Sequence, residues 1–174
     1  MKSDAASDST LSALDRLHRR IDLEASRLER RHADRLTCRS GCSACCLDGL
    51  TVRVIEADLI RRKHPELLAD AEPHAPGACA FLDGEGACRI YADRPSVCRS
   101  QGLPLRMFFE DENDEIVEHR DICPLNLDGG PPLEELDEEE FWLIGPVELE
   151  LAELERSSTS AEPQRVALRS LFEK

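Results

Sequence analysis

Four cysteines fall within the short stretch Cys38-x3-Cys42-x2-Cys45-Cys46. A chain that crowds thiols like this must bury them, oxidise them or bind something through them. Cys79, Cys88, Cys98 and Cys123 bring the total to 8. Compartment narrows the choice. The stretch Met1 to Thr10 has no apolar centre of a secretory signal, and no run of about eighteen apolar residues occurs. The reading predicts a cytoplasmic protein without a membrane span. Disulfides rarely persist in the cytoplasm, so metal binding or redox chemistry is expected over a disulfide framework. A single free cysteine often packs as a small hydrophobe; eight, half of them clustered, call for a shared role.

The spacing says how such a role would work. A Cys-x2-Cys turn aims two thiolates at one metal, and Gly41 supplies the backbone freedom that a tight knuckle needs. The vicinal pair Cys45-Cys46 is different. Neighbouring side chains diverge on a regular strand, so both bind one centre only in an irregular turn, or they serve different ions. The pattern therefore fits a polynuclear cluster or two neighbouring four-thiolate sites. Arg39, Arg89, Arg94 and Arg99 accompany the cysteines, and cationic neighbours favour the thiolate form and offset its charge; binding a small anion beside the metal is the other use such arginines have. His18, His32, His64, His74 and His119 show no metal spacing among themselves and are read as structural or exposed, with His74, just before Cys79, the one to test. Cysteine–histidine nucleophilic catalysis is disfavoured, because the remaining thiols would compete for metal or oxidise together. No phosphate loop, dinucleotide fingerprint or paired-carboxylate signature is present.

With 174 residues, 41% apolar, the chain is long enough for one domain with a real core, and at 4% aromatic that core is aliphatic. The net charge of -14 belongs to one part. Residues 1–36 carry 8 basic and 7 acidic side chains, residues 37–100 carry 8 and 9, and residues 101–174 carry 6 and 20. Such acidity excludes non-specific binding to nucleic acid or an anionic membrane.

Leu11, Leu14, Ile21, Ala25 and Leu28 recur at helical spacing and predict an N-terminal helix, capped by Ser9 or Thr10, whose stripe docks on the domain. Residues 1–8 are read as a polar end. Alternation at Leu50, Val52 and Val54 predicts a short strand, followed by a helix from Glu56 to Lys63 and further helical turns over Pro65 to Glu72. Residues 79–91 predict a tight hairpin around Asp83-Gly84 that brings Cys79 and Cys88 together. Pro95 opens a short helix carrying Cys98. Leu103 to Phe109 and Ile116 to Arg120 predict a second hairpin. Leu133 to Ile144 and Val147 to Arg156 are expected to be acidic helices, Ser157 to Ala161 a linker, and Pro163 to Phe172 a last amphipathic helix.

The cluster from Cys38 to Cys46 resembles the Cys-x2-Cys-x2-Cys-Cys signature of the YkgJ-like cysteine-cluster family. So do Cys79-Ala80-Phe81-Leu82, Gly86-Ala87-Cys88-Arg89-Ile90-Tyr91 and Arg94-Pro95-Ser96-Val97-Cys98-Arg99. The first spacing here is three residues instead of two. The resemblance covers about residues 38 to 124 and extends to the count of eight cysteines. It implies zinc or iron chelation, or an iron–sulfur cluster, with Cys38, Cys42, Cys45, Cys46, Cys79, Cys88, Cys98 and Cys123 as candidate ligands. A flagellin lysine methylase shares the signature; its activity is not carried over to this chain.

The expected fold is α+β and mostly α: a small irregular cysteine-rich metal-binding core with one or two short β-hairpins, flanked by N- and C-terminal helices. The expected organisation is an amphipathic helix over 1–36, a cysteine-cluster domain over 37–128 and an acidic helical extension over 129–174. The expected function is a cytoplasmic metal-binding protein whose cysteines chelate an iron–sulfur cluster or iron or zinc ions. Two alternatives stay open: a zinc-stapled interaction module whose acidic flank binds a basic protein partner, and a metal- or cluster-dependent enzyme.

Overall fold

The computed structural model describes residues 6–39, 41–158 and 162–173. Residues 1–5 of the polar start and 159–161 of the linker lie outside the described residues. Helix outweighs strand, as a mostly-α α+β chain requires.

Helix α1 (Asp8–Arg31) is the long element of the fold. Its cap is Ser7, whose hydroxyl accepts from the Thr10 amide at 3.2 Å; the cap therefore lies two residues before the expected start. Asp8 in the first turn and Arg30 and Arg31 in the last complement the helix dipole. Its buried stripe includes every expected position and adds Thr10, Leu17 and His18.

Strand β1 (Thr51–Arg53) leads directly into helix α2 (Val54–Lys63), followed by α3 (Pro65–Asp70). Helix α2 is the wall between two apolar clusters. Its Ile55 and Leu59 pack with the α1 stripe, Leu103, Trp142 and Leu151. Its Ala57 and Ile60 face the other cluster, with Val52, Cys79, Phe81, Ile90, Leu168 and Leu171. A one-turn helix, α4 (Ser96–Arg99), carries Cys98. Strands β2 (Leu105–Glu110) and β3 (Ile116–Asp121) pair antiparallel, as the second hairpin requires.

Two expectations change. The segment 133–144 is not a helix. It forms 3-10 turns at Leu133–Glu135 and Glu138–Glu140 and strand β4 (Trp142–Leu143), parallel to β2. The Trp142 and Ile144 amides donate to the Pro104 and Arg106 carbonyls, so the sheet takes the hydrogen bonds a helix would have needed. Helix α5 (Pro146–Ser158) follows as expected. The segment 163–172 is strand β5 (Arg165–Ala167) and a 3-10 turn over Leu168–Phe172. β5 pairs antiparallel with β1, Val52 opposite Val166, which draws this end of the chain onto the cysteine segments. Residues 79–91 form a tight loop with a single bridge, Leu82 to Cys88. The arms pair as the tight hairpin requires, the Asp83 and Arg89 amides donating to the Ala87 and Phe81 carbonyls, both at 2.9 Å, and the Asp83 carboxylate adds bonds from the Glu85 and Ala87 amides at 2.9 and 2.8 Å. Among the described residues, no helix is long and apolar enough to cross a membrane.

A buried polar network joins α1, α2 and α4. Glu56, 3% exposed, accepts from the Ser96 amide at 2.7 Å and lies 3.2 Å from His18 Nε2. Arg99 Nη2 lies 3.2 Å from His18 Nδ1, and Arg99 Nη1 donates to Asp22 at 2.6 Å. A guanidinium only donates, so Nδ1 is the acceptor and Nε2–H points at Glu56. Burial pushes the Glu56 carboxyl up, but the His18 and Ser96 hydrogen bonds outweigh it and hold the group below the usual carboxylate range.

Two predictions follow from this packing. Leu14→Ala, at a fully buried position, should cost about 2–5 kcal/mol, whereas Leu23→Ala on the exposed face should stay within about 0.5 kcal/mol, both read by urea unfolding. Because the folded-state pKa of Glu56 is depressed, its contribution is present above the ordinary value of 4.5 and is lost as pH falls through the lower folded value. Wild type should therefore lose more stability than Glu56→Gln between neutral pH and pH ~3; parallel curves would refute the assignment.

Candidate metal centre

Seven cysteines line one cavity of about 760 Å³: Cys38, Cys42, Cys45, Cys46, Cys79, Cys88 and Cys98. They arrive on three segments: the loop after α1, the loop 79–88, and α4. The rest of the wall is largely apolar, with Leu36, Leu50, Phe81, Ile90, Leu103 and Leu168, and none of the five histidines lines it. Cys79 is buried, Cys38 is exposed, and the other thiols are intermediate. Cys123 is not a lining residue, but it lies close enough for its charge to act on Cys38.

Each segment is held from outside, because loops have no ladder of their own. Asn126, with no exposed surface, holds the first cysteine. Its Oδ1 accepts from the Thr37 amide at 2.9 Å, and its Nδ2 donates to the Gly102 carbonyl at 2.8 Å and to Cys38 Sγ at 3.5 Å. Its own amide donates to the Cys123 carbonyl at 2.8 Å, which joins the two ends of the cysteine series. Gly102 completes this corner: its φ is +92°, and a Cβ there would stand 2.5 Å from Cys38 Sγ. The second loop is fastened to the first by the Cys79 amide, which donates to the Cys46 carbonyl at 2.9 Å. Arg169 clamps both, donating through Nε to Asp48 at 2.8 Å and through Nη1 and Nη2 to the carbonyls of His74 and Ala78 at 2.7 and 2.8 Å. Helix α4 is anchored at Ser96 and Arg99, the residues flanking Val97-Cys98, by the network described above.

The electrostatics follow from this crowding. Burial pushes the Cys98 thiol up to about 12, and Cys79, Cys88, Glu56 and Cys45 add to the shift. Burial likewise raises Cys79 and Cys88. Arg169 and Arg89 oppose it at Cys79, and Arg94 and Arg89 at Cys88. The vicinal pair is split: a hydrogen bond from Cys46 holds Cys45 below the usual thiol range, while Cys46 is pushed up. Of the arginines singled out by sequence, Arg89 and Arg94 thus act on thiols. Arg99 is engaged with Asp22 and His18.

Among the described residues, no three thiol, imidazole or carboxylate side chains are already drawn together tightly enough to hold an ion. The thiols line a common space without meeting at one point. The donor chemistry nonetheless fits a thiophilic metal group, since cysteine supplies the soft ligands and no histidine stands beside them. The family comparison agrees. The CxxCxxCC family, described as "Putative zinc- or iron-chelating domain", matches residues 37–124, just over half of the chain. The chain belongs to this family. No curated protein and no solved structure matched. Chelation of a metal is the property that this membership supports, and the matched residues of the CxxCxxCC domain include all eight cysteines.

Sequence reasoning passed over Asn126, Gly102, Asp48 and Arg169. Only Gly102 carried a usable signal, as a glycine between Cys98 and the second hairpin. Asn126→Ala should leave the Thr37 amide and the Gly102 carbonyl without their partner, at about 1–3 kcal/mol each. It should also speed alkylation of Cys38 relative to Cys79, read by mass spectrometry; unchanged relative rates would contradict the anchoring role.

Proposed function

We propose that this chain is a cytoplasmic metal-binding protein whose eight cysteines, Cys38, Cys42, Cys45, Cys46, Cys79, Cys88, Cys98 and Cys123, hold iron as a sulfur-ligated group. The observation that carries this reading is the cavity itself: seven thiols, no histidine, and a volume well beyond one four-coordinate ion. An all-sulfur donor set in an apolar wall suits an iron–sulfur cluster. Zinc held by the same thiolates is the second reading, favoured by the Cys-x2-Cys knuckle of Cys42 and Cys45. When bound, the metal group supplies either electron transfer or a structural cross-link. The chain supplies thiolates, charge compensation from Arg89, Arg94 and Arg169, and exclusion of water by Phe81, Ile90 and Leu168.

The reading in which an acidic flank recruits a basic protein has less support. Part of the acidity of the last third is paired internally: Glu138 and Glu118 with Arg106, Glu140 with Arg31, Glu150 with Arg20, and Glu148 with Arg53 and Arg165. For an enzymatic role, no feature of the cavity names a substrate.

Anaerobic purification followed by metal analysis and an absorption spectrum tests the proposal. A coloured protein containing iron and acid-labile sulfide is expected. A colourless protein with stoichiometric zinc would transfer the assignment to the second reading, and a folded protein that takes up neither metal would end both.

A further inference from the structure

Resting on the metal-binding reading above, we propose that the eight thiols form two separate four-sulfur seats for thiophilic metal groups. The outer seat is Cys38, Cys42, Cys45 and Cys123; the inner seat is Cys46, Cys79, Cys88 and Cys98. The boundary between them runs through the bond joining the vicinal pair.

The inner set is defined by packing. Cys79 belongs to the second apolar cluster, and Cys46, Cys88 and Val97, the neighbour of Cys98, pack against it. The Cys79 amide donates to the Cys46 carbonyl, and Cys88 is bridged to Leu82 in the same loop. The outer set is defined by Asn126, which bonds through its side chain to Cys38 Sγ and through its amide to the Cys123 carbonyl and so brings together the segments that carry the first and last cysteines. The Cys42 amide donates to the Arg39 carbonyl at 2.9 Å, turning the chain so that Cys42 follows Cys38 closely. Two tight turns, Cys46 amide to Ser43 carbonyl and Leu47 amide to Cys45 carbonyl, make the vicinal pair irregular, and with Cys46 packed on the inner cluster the boundary falls within the pair, between two thiols that hydrogen-bond to each other.

Volume leaves room for the division. A tetrahedral thiolate site with metal–sulfur bonds of about 2.3 Å fills only a small part of a cavity of about 760 Å³. The two seats differ in access: Cys38 is exposed and Cys79 is buried, so the outer seat exchanges metal first.

The test uses the full chain loaded with Co²⁺, a spectroscopic stand-in for zinc or ferrous iron. Wild type should take up about two ions, each with thiolate charge-transfer bands. Cys123→Ser and Cys98→Ser should each lose about half of the bound cobalt. Pairing Cys42→Ser with Cys123→Ser should lose no more than either alone, whereas pairing Cys123→Ser with Cys98→Ser should lose nearly all. Loss of all cobalt in every single variant, or identical behaviour of same-seat and cross-seat pairs, overturns the partition. Wild-type protein needs no folded variant: during stepwise chelation, alkylation should reach Cys38, Cys42, Cys45 and Cys123 as one early set and the other four as a later one. Sets of any other membership overturn the partition too. Failure of wild type to bind cobalt, zinc or iron at all contradicts the metal reading itself and is thereby distinguished from failure of the partition.

Discussion

The thiols of this protein sit on backbone that has almost no regular hydrogen-bond ladder, and everything else in the structure is arranged around that constraint. A loop cannot hold a side chain in place by itself; its polar groups must be satisfied by something fixed. Three buried or clamped side chains do this. Asn126 holds the outer corner at Cys38, Arg169 ties the two cysteine loops together through Asp48 and the carbonyls of residues 74 and 78, and Glu56 seats the helix that carries Cys98. Each comes from a part of the chain distant in sequence from the thiol it serves. The fold is therefore a frame for four cysteine-bearing segments, with α2 as the wall on which both apolar clusters rest.

Chemistry at the cavity follows from the same crowding. Burial raises the Cys79, Cys88 and Cys98 thiols and neighbouring thiols raise Cys88 and Cys98 further, so these three resist ionising without a cation nearby, while Cys45 is held below the usual thiol range. Arg89, Arg94 and Arg169 relieve part of this cost. A bound metal ion would relieve the remainder, which is the physical link between the strained electrostatics of the thiols and the chelating character of the CxxCxxCC family.

Some of this was legible in the residues. The stripe of α1 repeats at helical spacing because one face of a long helix is buried throughout, and β2 and β3 flank an obvious acidic turn. The cysteine cavity was legible because clustered thiols have few other uses. Residues 133–144 and 163–172 misled for one shared reason: both are rich in helix-forming residues, yet both are recruited to strand edges, β2 for the first and β1 for the second, by partners remote in sequence. Asn126 and Arg169 were invisible because a lone polar residue has no periodicity, and its partners are backbone atoms that composition does not record. His18, read with the other histidines only as structural or exposed, is the centre of the buried network.

X-ray absorption at the edge of the metal carried by the protein as isolated reads the ligand set of the cysteine cavity directly. A first shell made only of sulfur, at about 2.3 Å, is the expected result. A shell dominated by nitrogen or oxygen would contradict it, because it would take the metal off the cysteines.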